Sequence, residues 1–311
     1  MSILKVGEKI DFRQVGLSDK SKYEEAFRFE KGRGCEYSFA NLYLWGRQNI
    51  AEIGANIAFF SQFNRRTVYP FPIGSDDKKT ALDGIIADST ARGIPCRITG
   101  ILPEEVELLE KYYPGRFRFH HDEGSYDYVY RVEDLANLSG KKYHSKKNHI
   151  NRFKAENPDY TVEIISKENI SDVKSFLNKW YEKRLAEDPE DDFIMEKAAL
   201  SKAFRDFSEL ELIGLAVRLG GEIIAFTIGS RFCENMIDVH FEKARSDING
   251  AYAVINNEFA IFIKENCPEI EYLDREEDMG IEGLRRAKQS YRPAYMVKKY
   301  WACLLEDGYD Y

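Results

Sequence analysis

The residue pattern predicts a mixed α/β (α+β) fold, built twice along one chain, and three observations carry that prediction. The C-terminal half holds an ordered run of strand and helix signals that reads βααβββαβαβ, the N-terminal half holds a similar order, and aromatic residues are abundant, with 19 Tyr and 20 Phe. Large aromatic side chains suit packing on sheets. A chain of 311 residues has room for two folding units. With 43% hydrophobic and 32% charged residues, it can bury a core and keep a solvated surface, which argues against long disordered stretches.

In the C-terminal half, TVEII reads as a short strand. Val173, Phe176, Leu177 and Trp180 then fall at i, i+3, i+4, i+7, the spacing of one buried helix face. A second helix is expected over 192–207. Three strand-like runs follow: ELIGLAVRL, EIIAFTIGSRF after the Gly220-Gly221 turn, and NMIDVHFE. Gly250 opens a helix whose apolar side carries Ile255, Phe259 and Phe262. A strand EIEYLD, a helix over 281–289 and a final strand AYMVKKYWACLL complete the order.

The N-terminal half reads as a strand near KIDFRQV, a helix over 19–29, short runs at NIAEIG, IAFFSQF and RTVYPFP, and a helix over 76–92. CRITG, a helix over 103–111, and strands at RFRFHH and YDYVYRV follow. Two similar orders in one chain suggest a duplication. The expected domains are therefore residues 1–138 and 139–311, with residues 139–158 as a basic helix that ends at Pro158.

Composition narrows the function classes. No stretch approaches the ~18 uninterrupted apolar residues of a membrane span, and MSILKVGEKI puts charges where a signal peptide needs an apolar run. The expectation is a cytoplasmic protein with no stable membrane insertion. Five scattered cysteines without a CxxC pair read as buried thiols, and no metal is expected. His120-His121-Asp122 makes a poor chelate, because neighbours on a strand point to opposite faces. A net charge of −8 opposes a general nucleic-acid coat but leaves room for a local basic site.

Three stretches carry a family resemblance: YSFANLYLW, LSGKKYHSKKNHINRFK and YLDREEDMGIEGLRRAKQSYRP. Together they resemble the DUF2156 family, which is similar to the C-terminal domain of phosphatidylglycerol lysyltransferases. The element order resembles the GNAT (acyl-CoA N-acyltransferase-like) fold in tandem. The resemblance implies relatives that take an aminoacyl group from transfer RNA and pass it to a lipid or a peptidoglycan precursor. It also implies a fourth and a fifth strand that splay to admit the acyl donor. No permanently bound cofactor is expected. The donor is aminoacyl-transfer RNA, with acetyl-coenzyme A as the alternative. Against the coenzyme A signature Q/R-x-x-G-x-G/A, this chain has Asp247 where Gln or Arg is expected and Tyr252 where a small residue is expected.

The residues themselves suggest where chemistry would sit. NMIDVHFE alternates strictly, so Asp238, His240 and Glu242 share one face. Three ionisable groups there need partners or water. Asp274, at the end of EIEYLD, is expected in the same splayed cleft. Asp238, His240 and Asp274 are thus the candidate catalytic set, a base for the attacking amine, or else a structural hydrogen-bonded network. Asn249, Gly250 and Ala251 begin the helix whose free N–H groups and dipole favour a phosphate; the plainer reading is a turn and cap.

Two segments are basic against the acidic average. One contributes Lys142, Lys146, Lys147 and Arg152, the other Arg285, Arg286, Lys288 and Arg292, with Tyr291 as a stacking surface. In one groove they would hold RNA or a diphosphate. Apart, they would be solvated faces paired with acids such as Glu276, Glu277 and Asp278. Two functions stay open: an acyl- or aminoacyltransferase, or a nucleotide- or RNA-binding protein that retains the fold.

Overall fold

The structure, a computed structural model, describes residues 9–63, 66–189 and 193–305. The first eight residues and residue 192, where the second C-terminal helix was expected to begin, lie outside them. The chain starts with β1 (Arg13–Gln14), α1 (Lys20–Phe27), α2 (Phe39–Trp45), β2 (Gln48–Ile53) and β3 (Asn56–Phe63). It continues with β4 (Arg66–Pro70), β5 (Ile73–Gly74), α3 (Lys78–Arg92), β6 (Arg97–Ile101), α4 (Pro103–Tyr112) and β7 (Phe117–His121).

Then come β8 (Asp127–Arg131), α5 (Val132–Asn137), α6 (His144–Glu156), β9 (Thr161–Ile164), α7 (Ile170–Glu187) and α8 (Ile194–Arg205). The next elements are β10 (Ile213–Leu219), β11 (Glu222–Cys233), β12 (Met236–Ala244), α9 (Ala251–Asn266) and β13 (Tyr272–Asp274). The last are α10 (Glu282–Gln289), β14 (Tyr295–Val297) and β15 (Tyr300–Leu304).

Two sheets form. One runs β1-β2-β3-β4-β6-β15-β7, with β5 beside β3; the other runs β14-β8-β13-β12-β11-β10-β9. The expected order βααβββαβαβ is therefore found from β9 to β14, with two corrections. The run AYMVKKYWACLL is not one strand: β14 joins the second sheet, whereas β15 lies antiparallel between β6 and β7 in the first. YDYVYRV, expected in the N-terminal half, becomes β8 and pairs with β13. Lys298 and Lys299 part β14 from β15, and the Lys299 ammonium is buried against Glu36 at 2.7 Å. The compact units are Asp127–Met296 and, discontinuously, Met1–Tyr126 with Val297–Tyr311, where sequence suggests one cut near 138.

Each unit has its own core. In the second, α9 buries Val254, Ile255, Phe259 and Ile263 against Leu135, Phe153, Leu215 and Leu273. Burying each such side chain stabilises the fold by about 1.5–3 kcal/mol. The α7 face is buried at Val173, Phe176, Leu177 and Tyr181. Trp180, expected on that face, lies one position round and donates its indole N–H to the Ala244 carbonyl at 3.1 Å.

In the first unit Tyr69, Phe71, Leu82 and Ile98 pack with Ala302 and Leu304 of β15. Beside this core Arg33, its side chain wholly buried, forks onto Glu105 at 2.5 Å and Glu30 at 2.7 Å. Glu105 also accepts from the Leu102 N–H at the start of α4. Removing one partner of a buried pair strands the other charge, so Arg33→Met should cost about 3–5 kcal/mol. Urea denaturation at neutral pH measures this; a loss below about 1 kcal/mol, the value of an exposed pair, would show the network to be dispensable.

Candidate functional site

The site begins where two parallel strands stop pairing. β12 and β13 are in register only at Met236 with Tyr272, Ile237 with Leu273 and Asp238 with Asp274. β12 then runs on to Ala244, held on its other side by β11. From Val239 onward its free edge has no strand partner among the described residues. A cavity of about 800 Å³ opens there, walled by β12, the start of α9, the segment after β13, α10 and α6.

Behind that edge sits an acid and imidazole cluster. Strand alternation puts Asp238 and His240 on one face, and both side chains are fully buried. The His240 Nε2 lies 2.8 Å from Oγ of Ser230 on β11. Its Nδ1 lies 3.3 Å from Oδ2 of Asp238 and 3.9 Å from Oε1 of Glu276. Strict alternation does not persist: β12 bulges between Val239 and Phe241, so Glu242, expected on the same face, lies on the opposite one and pairs with Arg275 at 2.6 Å. Donor atoms of Asp238, His240 and Glu276 all lie within 4.8 Å of one another, a spacing that would also suit a metal ion.

The candidate catalytic set is thus only partly assembled. Asp238 meets His240, but neither Asp238 nor Asp274 lines the cavity, and His240 reaches it through its main chain. Asp274 instead turns the following segment by accepting the Glu276 N–H at 2.8 Å. Glu276, which sequence reading treats as an ordinary surface acid, lines the cavity. Ser230 was also missed; it lies in the long buried run of β11.

The segment after β13 is tightly built. The nearly buried ammonium of Lys288 donates to the carbonyls of Arg275, Glu276 and Glu277 at 2.5, 3.0 and 2.6 Å. Glu276 and Met279 adopt left-handed backbones, φ 58° and 53°, which costs about 1–3 kcal/mol per non-glycine residue. Asp278 accepts from the Tyr128 hydroxyl at 2.6 Å, from Nε of Arg285 at 2.8 Å and from the Gly280 N–H at 2.8 Å. Burial works to raise its pKa, but the Arg285 guanidinium and the Tyr128 hydroxyl outweigh it and hold the carboxyl at about 2.

The donor side is mixed. Asn249, Gly250 and Ala251 line the cavity. Gly250 has φ 87°, and a Cβ there would meet the His149 carbonyl oxygen of α6 at 2.9 Å. It offers no side-chain cap, so α9 presents an uncapped first turn. Asp247 is neutralised by Arg245 at 2.5 Å and Lys183 at 3.1 Å, the ion pairs that hold its pKa low.

On α6, the Lys146 ammonium sits 4.1 Å from the centroid of the Tyr291 ring. Its pKa is lowered, first by burial and then by Arg275. Tyr291 is buried and its hydroxyl is pushed up to about 12 by that burial. The other basic residues stand outside the cavity lining or hold its wall. Lys142 and Arg152 are exposed and pair with Asp134 and Glu156; Lys147 and Arg292 are exposed; Arg286 is exposed and 3.8 Å from Glu282. Arg285 is committed to Asp278 and Lys288 to the three carbonyls.

Residues 27–303 match the family model of the C-terminal region of phosphatidylglycerol lysyltransferase. The chain belongs to that family. Its fold is GNAT-like and in tandem. A crystal structure of a conserved protein of unknown function from Bacteroides thetaiotaomicron is 35% identical, with TM-score 0.89 over 95% of this chain and 100% of that one. L-PGS from Bacillus licheniformis is 18% identical, with TM-score 0.64 over 97% and 94%. An uncharacterized protein of Mycoplasmoides gallisepticum is 25% identical over 181 residues, 57% of this chain and 56% of that relative. The chain therefore matches little more than half the length of that curated relative.

Arg285→Gln should destabilise the protein by about 1–3 kcal/mol at neutral pH, because it takes a donor from a buried carboxylate. A carboxyl held low in the folded state adds stability above its unfolded pKa near 4, and loses it as pH falls toward about 2. The gap between wild type and variant should therefore narrow in acid. Denaturation midpoints at neutral and acid pH test this; a gap independent of pH would assign Arg285 a packing role only.

Proposed function

We propose that this chain transfers an aminoacyl group from aminoacyl-transfer RNA to an amine or hydroxyl acceptor, and that the transfer takes place in the cavity beside β12. The observation that carries this reading is the cavity itself. It opens where the fourth and fifth strands of the GNAT-like unit part, and it is lined by both α6 and α10, the two basic segments of the sequence. Family membership supports the aminoacyl class.

The chemistry asks for placement more than for reactive groups. An ester carbonyl laid along the open edge of β12 and an acceptor held beside it gain most of their rate from proximity. Lys146 puts positive charge on one wall, where phosphates or a diphosphate would lie. The uncapped start of α9 adds its dipole. Asp238 and His240 stand behind the edge with their side chains fully buried, and Asp274 shapes the segment beside them. Among the described residues no helix is long and apolar enough to cross a membrane, and the cytoplasm, where charged transfer RNA is found, is the expected place of action.

The exposed cations on α6, on α10 and just beyond it supply the test. Replacing Lys147, Arg286 and Arg292 together with Gln should weaken binding of charged transfer RNA and flatten its salt dependence by about one unit of slope per lost phosphate contact. Folding should be nearly unchanged, because exposed pairs contribute ~0–1 kcal/mol each. Titrations at two salt concentrations read both quantities. Tight binding of acetyl-coenzyme A with none of charged transfer RNA would overturn the donor assignment.

A further inference from the structure

His240 is the obvious base by residue type, yet nothing in the cavity can touch its ring, since the side chain is wholly buried between Ser230, Asp238 and Glu276. The cluster reaches the cavity through Glu276, whose side chain is 24% exposed and lines it. Glu276 is also a residue that the surrounding groups force into place. Its left-handed backbone is held by the Asp274 carboxylate on its N–H and by Lys288 and the Tyr128 N–H on its carbonyl. Strain maintained by this many partners places a side chain where free folding would not.

The imidazole explains the orientation. Two carboxylates face Nδ1, which favours the tautomer with the ring's proton there, between Asp238 and Glu276, and with the Ser230 hydroxyl donating to Nε2. That turns one oxygen of Glu276 toward the ring. We propose that Glu276 is the catalytic residue that receives the acceptor's proton, with His240, Asp238 and Ser230 as positioning residues behind it. This rests on the transferase reading. In the step, the acceptor nitrogen or oxygen bonds to the acyl carbon and its proton passes to a Glu276 carboxylate oxygen. The ester C–O bond to the donor's terminal ribose breaks, and that ribose oxygen takes the proton back from Glu276. Aminoacyl ester and acceptor become aminoacyl acceptor and free ribose hydroxyl.

The test uses the full chain, transfer RNA charged with a labelled amino acid, and hydroxylamine as the probe acceptor. Glu276→Gln should lower kcat by about 100-fold or more, the usual value of a positioned proton acceptor, with the donor KM unchanged. Glu276→Asp keeps the carboxylate and tolerates the left-handed backbone, so it should recover about tenfold of that loss and report function even if the Gln variant folds poorly. Ser230→Ala should lower kcat alone, by about tenfold, since it acts only through the ring. A Glu276→Gln variant that is folded, by circular dichroism, and as fast as wild type would overturn the assignment, as would an Asp variant no faster than Gln. If wild type transfers only from acetyl-coenzyme A, the donor reading fails and the same comparison on that donor still decides for or against Glu276. If it transfers from neither, both fall.

Discussion

One buried ammonium organises the floor of the cavity. The three successive carbonyls after β13 face a low-dielectric interior, and Lys288 supplies all three of its hydrogens to them, with the Tyr128 N–H adding a second donor to that of Glu276. With those carbonyls fixed, Arg275 is delivered to Glu242 and to the face of Tyr291, Glu276 to the edge of the imidazole cluster, and Asp278 to Tyr128 and Arg285. Each of these depends on backbone direction that no local propensity favours, as the two left-handed residues attest. The lysine of the basic segment is thus architectural, while the cation left to meet a ligand is Lys146, on another helix.

Charge in the cavity is arranged by separation. The chain is acidic overall, and most of the cations lining the cavity are matched: Lys243 with Glu196, Arg245 with Asp247, Arg275 with Glu242. The matched pairs position side chains and lower the cost of burial. Lys146, set against an aromatic face and with a lowered pKa, gives the wall its anion preference. Asp247, which in the bare sequence looks repulsive to a phosphate, is cancelled by its own neighbours.

Much of the fold was legible because it is written in local periodicity. The alternation of NMIDVHFE, the helical spacing of Val173, Phe176 and Leu177, and the glycine before α9 each specify an element without reference to the rest of the chain. What stayed hidden is non-local. Nothing within YDYVYRV says which sheet it joins, and AYMVKKYWACLL carries strand propensity across Lys298 and Lys299 without marking a change of partner. The same limit applies to the site. His240 and Asp238 announce themselves by residue type and spacing, whereas Ser230 and Glu276 matter only through neighbours brought in from other strands.

The placement of β15 bears on how the chain is made. The ribosome delivers the N-terminal unit first, yet that unit's sheet has a gap between β6 and β7 that only residues 300–304 can fill. The whole of Asp127–Met296 must emerge before the gap can close. The usual vectorial order, in which the earlier domain folds first, is therefore inverted: the inserted unit is contiguous and can mature while the outer one waits. In that interval β6 and β7 present unpaired edges, which are the surfaces most prone to pairing with other chains, so residues 300–304 also act as the cover that ends this exposure.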